Sequence, residues 1–101
     1  MNTYKVIISS TAQLDISEIV SFVLNVSKEA AIDLANILYE SLSSLDYLPE
    51  RHPIFEMPKS FRYTIRKKVI KNRYIVLFAI IKNQVVVYRI LDSRHNLQYL
   101  I

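Results

Sequence analysis

Residues 74–91 read Tyr74-Ile75-Val76-Leu77-Phe78-Ala79-Ile80-Ile81, then Lys82-Asn83, then Gln84-Val85-Val86-Val87-Tyr88-Arg89-Ile90-Leu91. The first block is apolar at every position, so it predicts a strand buried on both faces at the centre of a sheet. Lys82-Asn83 is a two-residue break between β-rich runs, the spacing of a hairpin turn. Gln84 to Leu91, rich in β-branched residues, then predicts the partner strand.

Working backwards, Phe61 to Ile70 alternates. Phe61, Tyr63, Ile65 and Val69 fall on one side, and Arg62, Thr64, Arg66 and Lys68 on the other. Lys71-Asn72 closes a second turn of the same kind, with asparagine in place of glycine, which the chain lacks altogether. Pro49, Pro53 and Pro58 punctuate the preceding loop. Before it the period becomes helical. Ala30, Leu34, Ile37, Leu38, Leu42 and Leu45 form one stripe ended by Pro49, with Ser27 as its cap and Glu29 in its first turn. Leu14, Ile16, Ile19, Val20, Val23 and Leu24 form another stripe, to about Asn25, behind a Ser10–Gln13 capping-box spacing. The gap between the helices permits only an antiparallel hairpin. Tyr4 to Ser9 predicts the first strand, and a further helix can begin in Asn96 to Ile101.

The fold expected is α+β, in the order β-α-α-β-β-β. A helical hairpin packs on one face of a mainly antiparallel four-stranded sheet, leaving the other face open. A length of 101 residues suits one domain over 1–101. No apolar run approaches the roughly 20 residues of a membrane span, and the first residues lack a secretory pattern. With no cysteine and two histidines, neither a metal centre nor a disulfide framework is expected, and the cytoplasm is the expected compartment. The missing glycine excludes phosphate loops and dinucleotide fingerprints, so no cofactor is implied.

Charge is split along the chain. Residues 1–56 carry three basic against eight acidic groups, giving −5, whereas residues 57–101 carry ten basic groups against Asp92 alone, giving +9. Such polarity attracts polyanions. The densest stretch holds Lys59, Arg62, Arg66, Lys67, Lys68, Lys71 and Arg73. On an open sheet face these would contact phosphate or an acidic protein. The structural alternative is a solvated face whose lysines discourage edge pairing. Arg89 is either a partner contact or half of an internal ion pair, with Asp92 or a helix carboxylate. His52 is incidental to function in this reading. Phe22, Val26 and Tyr39 stand off the main stripes and suit an apolar docking patch.

The element order and three stretches together resemble the RelE/ParE superfamily of bacterial type II toxins. These are Tyr4-x-Val6-x-x-Ser9-x-x-Ala12, Tyr74 to Ile80, and Val85 to Leu91 followed by Asp92-Ser93-Arg94-His95-Asn96-Leu97. The last is close to the family's Arg-Ile-Leu-His-x-Arg-Arg-Asp ending. The resemblance spans nearly the whole chain. It implies a cytoplasmic toxin held inactive by a cognate antitoxin, whose amphipathic helix the apolar patch of Phe22, Val26 and Tyr39 would suit.

The family contains two mechanisms. RelE-like and YoeB-like members cut messenger RNA in the ribosome and need a base, an acid and cations about the phosphate. ParE-like members poison DNA gyrase. Nucleases carry arginine directly after the first aromatic residue of the central strand, where this chain has Ile75. Arg73, Arg94 and His95, with Tyr99 following, are the catalytic candidates if it is a nuclease. ParE-like members typically have histidine where Asp92 stands. The missing arginine favours the ParE-like branch, with Arg62, Arg66, Lys68, Lys71, Arg73, Arg89 and Arg94 contacting the target. The alternatives are a ribosome-dependent mRNA endoribonuclease and a non-toxic small nucleic-acid-binding protein.

Overall fold

A computed structural model of the chain describes residues 3–58 and 60–94. Lys59, His95, Tyr99 and the expected helix in Asn96 to Ile101 lie outside the described residues. The elements are β1 (Lys5–Ile8), α1 (Ser10–Leu24), α2 (Lys28–Ser43), two single-turn 3-10 helices (Ser44–Asp46 and Pro49–Arg51), β2 (Ile54–Phe55), β3 (Ile65–Ile70), β4 (Tyr74–Ile81) and β5 (Gln84–Asp92). The sheet has five strands in the order β1-β5-β4-β3-β2, one more than expected. The added strand is the two-residue β2, too short to leave a periodic signature in the proline-rich loop. β1 runs parallel to β5, and every other pairing is antiparallel.

The helices form where the spacing placed them, with adjusted ends. The α1 cap is Ser9, not Ser10. Its hydroxyl accepts from Ala12 N–H at 3.0 Å, and Gln13 Nε2 reaches back to the Ile8 carbonyl. Ser27 caps α2 through Ala30 N–H at 3.1 Å. That helix stops at Ser43, and Pro49 opens the second 3-10 turn instead of ending α2. The buried α2 stripe is Ala31, Leu34, Leu38 and Leu42; Ala30 is exposed, as are Leu14 and Leu24 of α1.

Apolar alternation in β4 fills two clusters. Tyr74, Val76 and Phe78 meet the helices together with Leu38, Leu42, Leu45, Val85, Val87 and Ile90. Ile75, Leu77 and Ala79 face the other way, with Ile65 and Leu91. Phe55, Met57 and Phe61 cover that second cluster. The back of the sheet is therefore not the open surface expected, because burying its apolar row is worth about 1.5–3 kcal/mol per large side chain. Ile65 belongs there, while Val69, four residues on, is exposed.

The turns replace glycine differently from one another. Lys71 and Asn72 both take positive φ (56° and 54°), whereas in the second turn Lys82 does (φ 58°) and Asn83 does not. Leu48 is also left-handed, at φ 45°. In β5 the pairing slips by one residue, from Leu77↔Arg89 to Phe78↔Val87, which leaves Tyr88 as a β-bulge. The bulge resets the alternation. Val85, Val87 and Ile90 face the helices, and Leu91 faces the back cluster. Arg89, opposite Leu77, consequently keeps the face of Leu91 but not that of Val85 and Val87.

Candidate functional site: an arginine-lined pocket between the first helix and the last strand

β1 ends at Ile8, opposite Val87, so the remainder of β5 lies against α1. A cavity of about 340 Å³ opens there, with Ile19, Phe22, Tyr74, Ile90 and Leu91 as its apolar lining. Its charged lining is Asp15, Glu18, Arg73, Arg89, Asp92 and Arg94. Three of the expected target-binding arginines are thus brought together, although they lie on a turn, a strand and a strand end.

Each meets a carboxylate. Asp15 sits on the buried side of α1, one position before Ile16. Its Oδ2 accepts from Arg89 Nε at 2.8 Å and from Ile90 N–H at 2.9 Å, and its Oδ1 accepts from Arg89 Nη2 at 3.0 Å. These hydrogen bonds hold the Arg89 guanidinium above its ordinary pKa, against burial, which pulls it down. Asp92, the last residue of β5, is equally enclosed. It takes Arg73 Nε and Nη2 on Oδ2 at 3.3 and 3.2 Å. It also takes the Arg94 backbone N–H and Nε on Oδ1 at 3.0 and 3.3 Å, and Arg94 Nη2 on Oδ2 at 3.1 Å. One carboxylate therefore serves two guanidinia and leaves one positive charge at the rim. Arg94 presents it, since its side chain is 61% exposed against 33% for Arg73. Arg73 also lies over the Tyr74 ring at 5.2 Å, a cation–π contact. Burial raises the Tyr74 pKa, Arg73 lowers it, and Asp92 raises it.

The remaining cations of the second half do not join this group. Arg66 and Lys68 lie on the helix side of the sheet. Arg66 Nη1 donates to the Glu50 and His52 carbonyls at 3.0 and 2.7 Å. Lys68 Nζ donates to the Ser41 carbonyl at 2.9 Å and to Ser44 Oγ at 2.6 Å, so it closes the C-terminal end of α2. Burial and Arg51 lower the Lys68 pKa. Arg62 is exposed over the Tyr63 ring at 5.7 Å, and Lys71 is exposed in its turn. The single cationic sheet face expected from the sequence does not exist. Alternation alone sends neighbouring β3 cations to opposite sides, and carboxylates of both halves of the chain neutralise part of the charge.

Ile75, where the nucleases carry arginine, is buried with Ile65, Leu77, Ala79 and Leu91. Arg73, its nearest replacement, points at Asp92 instead of into that cluster. Phe22, Val26 and Tyr39 are exposed by 65%, 83% and 48%, so all three are available to a partner. Among the described residues no group of three or more His, Cys, Asp or Glu side chains is placed to hold a metal, and no helix is long and apolar enough to cross a membrane. Sequence reasoning missed Asp15, Glu18 and Tyr74 as pocket residues. For Asp15 the signal was present: it is the one acid set between the core residues Ala12 and Ile16 of an apolar helix face.

A solved chain from the chromosomal ParDE TA system from P. aeruginosa matches this fold with a TM-score of 0.71. The match covers 89% of this chain and 96% of that one, at 14% sequence identity. No protein-family model matches the sequence, and no curated protein does. The fold is therefore RelE/ParE-like: two helices on a mostly antiparallel sheet with a parallel first strand.

Proposed function

We propose that this chain, as one domain over residues 1–101, is the toxin of a type II toxin–antitoxin pair. A cognate antitoxin holds it inactive in the cytoplasm, and it acts in the ParE-like manner, by binding DNA gyrase. The toxin reading is supported by the fold likeness to a chain of a ParDE TA system. The setting of Ile75 carries the choice of mechanism. An arginine that stabilises a phosphorane must reach the scissile phosphate, yet this position is sealed in an apolar cluster. Arg73 can substitute only by giving up its two bonds to Asp92 and its place over the Tyr74 ring. The exposed guanidinium of Arg94 is the target contact, with Arg73, Arg62 and Lys71 as further cations, and Phe22, Val26 and Tyr39 receive an amphipathic antitoxin helix.

Inducing the chain alone in a bacterium tests this reading. Growth arrest with DNA-damage signalling, before translation falls, is the expected result. Harmless accumulation to high level would remove the toxin reading and favour a non-toxic nucleic-acid-binding protein. Arrest accompanied by codon-linked cuts in translated messages would replace gyrase with the ribosome.

A further inference from the structure

Four basic side chains stand apart from the pocket, between the end of α2 and the start of β3. We propose that Arg51, His52, Arg66 and Lys68 form a binding site for a phosphate group. Arg66 and Lys68 are neighbours on the helix side of β3. Arg66 Nη1 pins the second 3-10 turn to that strand through the Glu50 and His52 carbonyls, which brings Arg51 and His52 alongside. Arg51 Nε donates to His52 Nε2 at 3.4 Å, and the His52 ring stands edge-on to Phe78 with centroids 5.8 Å apart.

The charges in this group are not balanced. Among the described residues no carboxylate forms an ion pair with any of the four. Glu50 is near enough to feel Arg66, but its carboxylate takes the Tyr4 hydroxyl at 2.7 Å. Burial lowers the His52 pKa, and Arg51, Lys68 and Arg66 each lower it further, so the cations act on one another. Arg66 spends only Nη1 on the carbonyls of Glu50 and His52, the residues on either side of the exposed Arg51. The Arg51 fork, the remaining edge of the Arg66 fork and the third Lys68 ammonium proton suit the several acceptor oxygens of a phosphate. This site stands independently of the toxin reading.

The test titrates inorganic phosphate into the full chain at constant ionic strength, with chloride as the reference anion. The readouts are the thermal midpoint and the His52 ring resonances. Phosphate is expected to raise the midpoint above chloride and to shift the His52 signals. Arg51→Gln, an exposed substitution whose unaltered midpoint in chloride certifies its fold, should weaken binding about tenfold, the worth of one charge-assisted contact. Lys82→Gln, in the β4–β5 turn, should leave binding unchanged. A second arm adds a short single-stranded RNA. Displacement of inorganic phosphate identifies a nucleic-acid backbone as the source, and no displacement identifies a small phosphate compound. Equal effects of phosphate and chloride, or full affinity in Arg51→Gln, would overturn the proposal.

Discussion

Asp15 and Arg89, 74 residues apart in sequence, form a two-pronged ion pair that joins the first helix to the last strand. The same Asp15 carboxylate accepts the Ile90 N–H, on the stretch of β5 that β1 does not reach. It therefore does the work of a missing strand neighbour as well as that of a counter-ion. Both groups are largely enclosed, so removing one partner costs more than the pair contributes.

Asp15→Ala should destabilise the fold by about 3 kcal/mol, since it strands a guanidinium and a backbone N–H together. Urea denaturation measures this. Pairing it with Arg89→Met should cost less than the two single changes added, by roughly 0.5–3 kcal/mol. Strict additivity would mean that the two side chains do not act as a unit.

The glycine-free turns predict stabilising substitutions. Leu48 and Lys82 hold left-handed backbone that disfavours any side chain with a Cβ. Leu48→Gly and Lys82→Gly should each raise stability by up to about 1 kcal/mol, the gain being partly offset by the freer unfolded chain. A loss in thermal denaturation at either position would contradict the backbone geometry.

His52 predicts a pH dependence. Its folded pKa lies below the ordinary 6.5, because burial and the charges of Arg51, Lys68 and Arg66 oppose protonation. The folded state thus binds fewer protons than the unfolded one, and stability rises with pH through this group. Its contribution is complete above about pH 6.5 and is lost as pH falls toward the folded pKa. In phosphate-free buffer, His52→Gln should flatten the stability profile below pH 6.5 and leave it nearly unchanged at pH 8. An equally steep profile in the variant would assign the acid sensitivity to other groups.

Much of the fold could be read from alternation and periodicity, but the side of the sheet on which the cations lie could not. β4 is apolar on both faces, so the sequence does not say which face the helices take. Ile65 and Ile70 in β3 are both buried, on opposite sides, which makes its binary pattern equally ambiguous. Of the row Phe61, Tyr63, Ile65 and Val69, only Ile65 and Phe61 join a covered face, while Tyr63 and Val69 are exposed. That face is the one lined by Phe55, Met57 and Phe61, and not the one beneath the helices. Tyr88 shows a second limit, because a one-residue bulge reverses every later side chain without changing composition. Single charges in apolar settings carry a signal that periodicity does not. Asp92 is the only acid of the basic half and organises two arginines, as Asp15 holds the third. Phe22, Val26 and Tyr39 are exposed, as their departure from the stripes indicated.

Those three residues supply a prediction about neutralisation. Phe22→Ser and Val26→Ser replace mostly exposed side chains and should change stability by less than about 0.5 kcal/mol each. Co-expressed with the antitoxin, however, the double variant should still arrest growth, whereas the parent should not. Full neutralisation of the variant would move the antitoxin contact elsewhere on the chain.

The central claim is that the chain acts by binding and not by cutting RNA. Its most direct measurement adds the purified protein, in parallel, to a DNA gyrase supercoiling reaction and to a translating ribosome system. Supercoiling should be inhibited, more weakly by Arg94→Ala, while the message remains intact. Cleaved message beside unaffected supercoiling would contradict the claim.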